Sequence, residues 1–363
     1  GGGGGGELAP HVLDFHDDVT ITTPATGEVL TYNAGQWENL PPQSDLFTGA
    51  GTTGYVPDPI NEADNFLRDD GSWAPAGGAV AGKNLMINGG FDLWQRGTSF
   101  PTIAGIYTAD RWKVDGSFVD TTRQTFTVGQ TDVPGEPQYY MRIVTNAAES
   151  FFLHQSVEDV RTSAGQTITL SFWAKAAGAM NLNMNMDQNF GTGGSAGGNS
   201  FTQVFVLSAA WQKFTVTGLM GSLAGKTVNA NSYFEAVFSN PDANAETVDL
   251  AQVQIEIGDT ATEFEHRSIG QELALCQRYY YIHTPAVAMY VWGQSAATWR
   301  AVQFFMPVTM RTVPTVDHNM TAGGTGGKAE FVDAYPESLR FSTNTAGASN
   351  LLSVENITAD AEF

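Results

Sequence analysis

Apolar and polar residues alternate with a period of two through the middle of this chain. Met180, Leu182, Met184 and Met186 fall on one side of a run whose other side is Asn181, Asn183, Asn185 and Asp187. Successive strand residues point to opposite faces, so the run predicts a strand with one buried and one wet face. In 170–175, Leu170, Phe172 and Ala174 make the core-like row, and Ser171, Trp173 and Lys175 make the wet one. Val253, Ile255 and Ile257 oppose Gln252, Gln254 and Glu256 in the same way. Short strands of this kind, joined by Gly-rich turns such as 191–198, predict an all-β fold. We read an antiparallel jelly roll or β-sandwich over residues 83–267.

Residues 268–282 break that period and predict the one helix. Ser268 is its N-cap, and Gln271 three residues on completes a capping box. Ile269, Leu273, Cys276 and Tyr280 then follow at spacings of four, three and four, an a/d stripe. The stripe has two readings: a helix docked on its own sandwich, or a seam between chains on a threefold axis. Residues 283–363 return to β and predict a smaller C-terminal domain. It would hold a hairpin of 287–292 with 299–305, a Pro-bearing edge segment at 306–316, a flexible Gly-rich loop at 321–327 and strands at 339–343 and 351–357. Residues 1–82 are rich in Gly and Pro and carry two hairpin-like units, 29–37 and 66–73, each returning to a Trp. They predict a shaft or attachment segment ending in a linker at 74–82. Two-stranded hairpins are marginal alone in water, so pairing with other chains would order them.

Composition narrows the function classes. Charged residues are 15% of the chain and hydrophobic ones 42%, so the cores are real and the surface is mostly neutral and polar. Basic residues number 17 against 38 acidic, a net charge of −21. Backbone binding to nucleic acid needs clustered Lys and Arg, and none occurs. A single cysteine, Cys276, forms no intrachain disulfide or cysteine metal site and reads as a small buried hydrophobe. No apolar run reaches the length of about 20 residues that a membrane span needs, and no signal peptide is visible. Lysis would be the expected route by which a protein without one reaches the outside of cells, as virion proteins do.

An ordered string of motifs adds to this. Asn84-Leu85-Met86-Ile87-Asn88-Gly89-Gly90-Phe91-Asp92 runs into Leu93-Trp94-Gln95-Arg96-Gly97 and then Tyr107-Thr108-Ala109-Asp110-Arg111-Trp112. Ser171-Phe172-Trp173-Ala174-Lys175, the run from Val248 to Glu256, and Gly270 to Tyr280 follow. Over residues 83–282 the set resembles the carbohydrate-binding-module-like domain of phage and prophage tail fibres. The resemblance implies a jelly roll, within a homotrimeric fibre or spike on a virion surface, that contacts host cell-surface polysaccharide. Other virion proteins would hold its N-terminal end. It does not distinguish tail from head attachment or from a gene-transfer-agent spike. It transfers no sugar-contact residues.

The candidate binding residues come from the strand patterns. Sugars are held by aromatic faces against CH groups and by amides against hydroxyls. Trp173, Lys175, Asn181, Asn183, Asn185, Gln252, Gln254 and Glu256 lie on the polar sides of their strands. They form one surface if those strands neighbour in one sheet. Half-solvated sheets of any function show the same pattern. Trp94 and Trp112 read as core packing. Jelly-roll modules often hold a structural Ca²⁺ on oxygen ligands, for which Asp92 and Asp249 are the candidates. Catalysis has no motif here. The six His residues (11, 16, 154, 266, 283 and 318) are scattered, with His11 and His16 read as solvated, and no nucleophile elbow or HExxH accompanies them. The expected activity is binding without cleavage. A purely structural spacer fibre and a glycan-cleaving enzyme remain the alternatives.

Overall fold

The methionine row settles the orientation of the central strand: all four side chains point into a core between two sheets. In a computed structural model the chain divides into two units, Gly1–Gly78 and Ala79–Phe363. The structure describes residues 19–20, 29–33, 36–40, 65–67, 73–75, 83–103, 105–116, 118–145, 150–241, 245–322 and 330–363. Side chains are described from residue 83 onward, except at 103, 289–300, 320–322, 330–331 and 343–352. His11, His16, most of the linker and most of the 321–327 loop lie outside the described residues.

The first unit contains β1 (Val19–Thr20), β2 (Val29–Asn33), β3 (Gln36–Leu40), β4 (Asn65–Leu67) and β5 (Trp73–Pro75). β2 and β3 pair antiparallel with Tyr32 opposite Trp37, and β1 lies parallel to β3. β4 and β5 form a second hairpin with Leu67 opposite Trp73. Both hairpin units read from the sequence are therefore present.

The second unit begins with β6 (Ser99–Ile103), β7 (Ile106–Tyr107), β8 (Lys113–Gly116), β9 (Val119–Thr125), β10 (Tyr139–Thr145) and β11 (Phe151–Val157). It continues with β12 (Thr167–Ala176), β13 (Met180–Asn189), β14 (Gly198–Leu207), β15 (Gln212–Leu219), β16 (Tyr233–Ser239) and β17 (Thr247–Ile257). These make two six-stranded sheets, ordered β15-β12-β17-β10-β9-β6 and β14-β13-β16-β11-β8-β7. Every pairing is antiparallel. The fold is an all-β antiparallel jelly-roll sandwich. Phe172 of β12 sits at its centre, with Phe205, Phe238 and Phe214 rings at 5.1, 5.1 and 5.5 Å. Apolar burial between sheets of this size is the main source of stability.

β17 departs from simple alternation. Its inward residues are Val248, Leu250, Val253 and Ile255, a step of three between Leu250 and Val253. The pairing with β12 shifts there, between Ser171 and Trp173, and Gln252 takes φ +49°. This is a β-bulge: one extra residue re-aims the chain and keeps the core row inward.

The motif string builds the closure of the sandwich. Asn84 Oδ1 accepts from the Met86 and Ile255 N–H groups, and Nδ2 donates to the Val253 carbonyl. Asn88 donates to the Leu93 and Asp110 carbonyls, and its N–H meets Glu272 of the helix. Gly89 lies so close to β17 that a Cβ there would sit 2.0 Å from the Val253 oxygen, which only glycine avoids. Trp94 and Trp112 are buried, as expected, and their indoles donate to the Phe91 and Asn88 carbonyls. Arg111 is buried against Glu362 and under the Tyr279 ring. The residues that carry the family resemblance are thus mostly scaffold.

The helix α1 (Ile269–Gln277) starts at the Ser268–Gln271 capping box, as read from the sequence. It ends early because Tyr280 opens a strand, β18 (Tyr280–His283). The a/d stripe therefore does not stay on one helical face. Cys276 and Tyr280 are buried within the chain itself, Leu273 is half-buried and Ile269 is 63% exposed. The helix buries Glu272 and Cys276 instead.

β19 (Val287–Phe305), β20 (Thr315–Ala322), β21 (Glu330–Tyr335) and β22 (Ser338–Asp360) complete the unit. β22 is central to the last sheet, with β18 and β19 pairing to it, and β20 and β21 also pairing to it. The expected hairpin around 293–298 is not a turn. β19 runs straight through, and the extra residues form a bulge between Gln294 and Thr298. The two strands expected at 339–343 and 351–357 are one strand of 23 residues. Among the described residues, no helix is long and apolar enough to cross a membrane.

Candidate functional site

The eight candidate binding residues do not share one surface. β12 and β17 are neighbours, but β13 belongs to the opposite sheet. Trp173, Lys175, Gln252, Gln254 and Glu256 therefore lie on one outer side of the sandwich, and Asn181, Asn183 and Asn185 on the other. The first side is covered. Gln254 donates to the Glu263 carbonyl and accepts from the Glu265 N–H, and Glu256 accepts from Thr262. The segment 259–267 thus lies over β17, whose Gln252, Gln254 and Glu256 are buried. Lys175 is within 3.7 Å of Asp249 and 5.0 Å of the Trp211 ring.

Asp249, one of the two Ca²⁺ candidates, is held by cationic side chains. Arg142 grips its carboxylate with two bonds of 2.7 and 2.9 Å, and Lys175 adds a second cation. A paired carboxylate of this geometry has its charge and lone pairs engaged. Asp92 stands apart, its pKa raised to about 6 by burial and then by Glu272. Among the described residues no group of three or more His, Cys, Asp or Glu side chains could hold a metal ion.

The second side is open and polar. Cross-strand register fixes which outward residues adjoin. One row runs Thr202–Asn185–Val237–His154–Lys113–Tyr107 across β14, β13, β16, β11, β8 and β7. A neighbouring row runs Val204–Asn183–Ser239–Phe152–Asp115, with Phe152 46% exposed. A third sets Asn199, Asp187, Glu235 and Ser156 in line. Two hollows of about 640 and 480 Å³ lie on this face and share Asn189 and Glu235 in their walls. Together they make a trough along β13 and β16.

The trough has a fixed charge pattern. His154 Nδ1 lies 2.9 Å from Glu235 and Nε2 2.8 Å from Asp115. Burial opposes charge on the ring, but the hydrogen bonds and charges of Glu235 and Asp115 outweigh it and raise its pKa. Asp187 is opposite Glu235; burial first, and then that neighbouring charge, raise its pKa despite a bond from Asn199. Amides and hydroxyls supply the rest: Asn185 accepts from Thr202, and Asn189 reaches the Tyr233 hydroxyl. Such groups both donate and accept, as sugar hydroxyls do.

Sequence reasoning found the Asn row but missed its companions. The β13 alternation already carried Asp187 on the same side. Nothing local in 151–157 or 233–239 marks His154 and Glu235 as partners, since only cross-strand register joins them.

No protein-family model matches the chain, and no curated protein does. Among solved structures, similar chains include one described as CBM4, 19% identical, with a TM-score of 0.30, covering 47% of this chain and 98% of its own. A family 11 carbohydrate-binding module from Clostridium thermocellum, in complex with a β-1,3-1,4-mixed-linked tetrasaccharide, is 10% identical with a TM-score of 0.30, covering 46% and 97%. The enzymatically active domain of bacteriophage CBA120 tailspike protein 4 is 11% identical with a TM-score of 0.33, covering 48% of this chain and 22% of its own.

Proposed function

We propose that this protein is a glycan-binding adhesin that holds a surface polysaccharide in the trough along β13 and β16. The observation that carries the reading is the open outer face of the second sheet. Asn185 and Asn189 line hollows there large enough for several sugar units, and Asn183 and an exposed Phe152 project from the neighbouring row. Amides pair with hydroxyls, and the aromatic faces take the CH surface of a ring. The site binds without cleaving.

The fibre setting is part of the same proposal. The ordered motif string and the two N-terminal hairpins favour a homotrimeric fibre or spike on a phage or phage-like particle, acting at the virion surface. Each site would be weak, and repeated copies would supply avidity.

The experiment is retention of the full chain on immobilised bacterial polysaccharides, alongside an Asn183→Ala/Asn185→Ala variant. Wild type should be retained and the variant lost, with equal melting temperatures. Retention that ignores the substitution removes the trough as the site. Release of reducing ends from the polysaccharide would replace adhesion by cleavage, and no retention on any polysaccharide would leave a spacer fibre. Light scattering tests the trimer, which a stable monomer at micromolar concentration would exclude.

A further inference from the structure

The covered side of the sandwich is not sealed everywhere. A cleft of about 190 Å³ opens through the cover beside Trp173. We propose that it is a second ligand site, one that takes the single pyranose ring of a chain end. It shares with the trough only the class of ligand and lies on the other sheet, so the two sites succeed or fail separately.

The cleft is built, not left over. Trp173 and Ser171 of β12 and Gln252 of β17 line it, together with Pro134–Gly135 and Phe264 and His266. The β17 bulge is what brings Gln252 here: the extra residue turns its side chain out of the core row, and its amide donates to the Pro134 carbonyl at 2.8 Å. Gly135 has φ +81°, and a Cβ on it would come within 2.8 Å of His266 Nε2, so glycine is needed for the two walls to approach. Phe264 and His266 stack edge-on with centroids 5.0 Å apart. Lys213 ties the cover down by donating to the Thr262 carbonyl. Each wall is held before any ligand arrives, which lowers the cost of binding.

The chemistry of the lining selects the ligand. Trp173 is half-buried on a row otherwise made of Ser171 and Lys175, so its ring is offered to the cleft. An indole face accepts the CH side of a pyranose. Gln252 and His266 line the same cleft and would meet ring hydroxyls. Burial lowers the His266 pKa, so the imidazole is neutral at pH 7 and offers one donor and one acceptor. Drug-sized pockets have volumes of about 300–1,000 Å³. This cleft is smaller, a size suited to a single ring.

The test is saturation-transfer NMR on the full chain with a panel of methyl pyranosides. Transfer to the ring CH protons is expected for at least one member. Trp173→Ala should weaken it about tenfold, the effect of one lost stacking contact, while Asn183→Ala/Asn185→Ala leaves it unchanged. Phe264→Leu, which keeps an apolar wall, should weaken it several-fold and serves if Trp173→Ala fails to fold. No transfer to any pyranoside overturns the proposal. So does transfer that survives both Trp173→Ala and Phe264→Leu, or that disappears only with the Asn pair, which would move the ring into the trough.

Discussion

The two outer faces of this sandwich begin from the same sequence pattern and end differently. β13 and β17 both alternate apolar with polar residues. On β13 the polar row meets solvent, and Asn183 and Asn185 stay half-exposed. On β17 every residue from Val248 to Glu256 is buried. Gln254 has exchanged water for the Glu263 carbonyl and the Glu265 N–H. Alternation therefore tells which side faces the core. Whether the other side is wet is decided by segments arriving from elsewhere in the chain.

The largest test removes what the faces share. Phe172→Ala empties the centre of the core beneath both and should cost about 3–5 kcal/mol, read as a lower denaturant midpoint. Retention on polysaccharide and pyranoside transfer should fall together. An unchanged midpoint would mean that the two sheets are not packed through this ring.

Gln254→Leu separates the faces. It leaves the Glu263 carbonyl and the Glu265 N–H without their buried partner, a loss of about 1–3 kcal/mol. The 259–267 cover should become sensitive to protease and the Trp173 cleft should weaken, while the trough keeps its polysaccharide. Equal loss at both would merge the faces into one cooperative site.

Two titrations sharpen the contrast further. Asp92 and Phe264 both lie beside Gly90. Its folded pKa of about 6 lies above the ordinary 3.8, so its charge destabilises the fold fully above pH 6 and not at all below 3.8. Asp92→Asn should raise the melting temperature at pH 7–8, with the gain gone near pH 3.5. A gain that does not vary with pH would assign the effect to packing.

His154 on the open side has the opposite sign. Its folded pKa is raised above 6.5, so its contribution is fully present below pH 6.5 and fades as pH rises through the folded value. His154→Gln should cost most near pH 5.5 and least near pH 8.5, by a smaller amount because the ring is partly solvated. A flat difference across that range would remove the charge from the account.

Much of the fold was legible. The strands around Phe172 and Met184, the Ser268 cap and the buried Trp94 and Trp112 all follow from local pattern. The candidate site was legible only in pieces. The Asn row was visible, but its placement on the opposite sheet from Trp173 depends on strand order, which alternation does not encode. The ion pair of Asp249 was not legible because its partner, Arg142, lies 107 residues away. The bulge at Gln252 did leave a trace in the three-residue step from Leu250 to Val253. The stripe from Ile269 to Tyr280 misled because spacing alone cannot show that the helix stops at Gln277.

The closure between Asn84, Asn88 and the residues after β17 also sets an order of events during synthesis. Asn84 bonds to Val253 and Ile255, Arg267 reaches the Met86 carbonyl, and Asn88 meets Glu272. The opening segment of the sandwich therefore waits for residues made some 170–184 positions later. Arg111 waits longer still, for Glu362. Domains emerge from the ribosome N-terminus first at about 5–20 residues per second. The motif string would thus spend on the order of ten seconds or more without its partners.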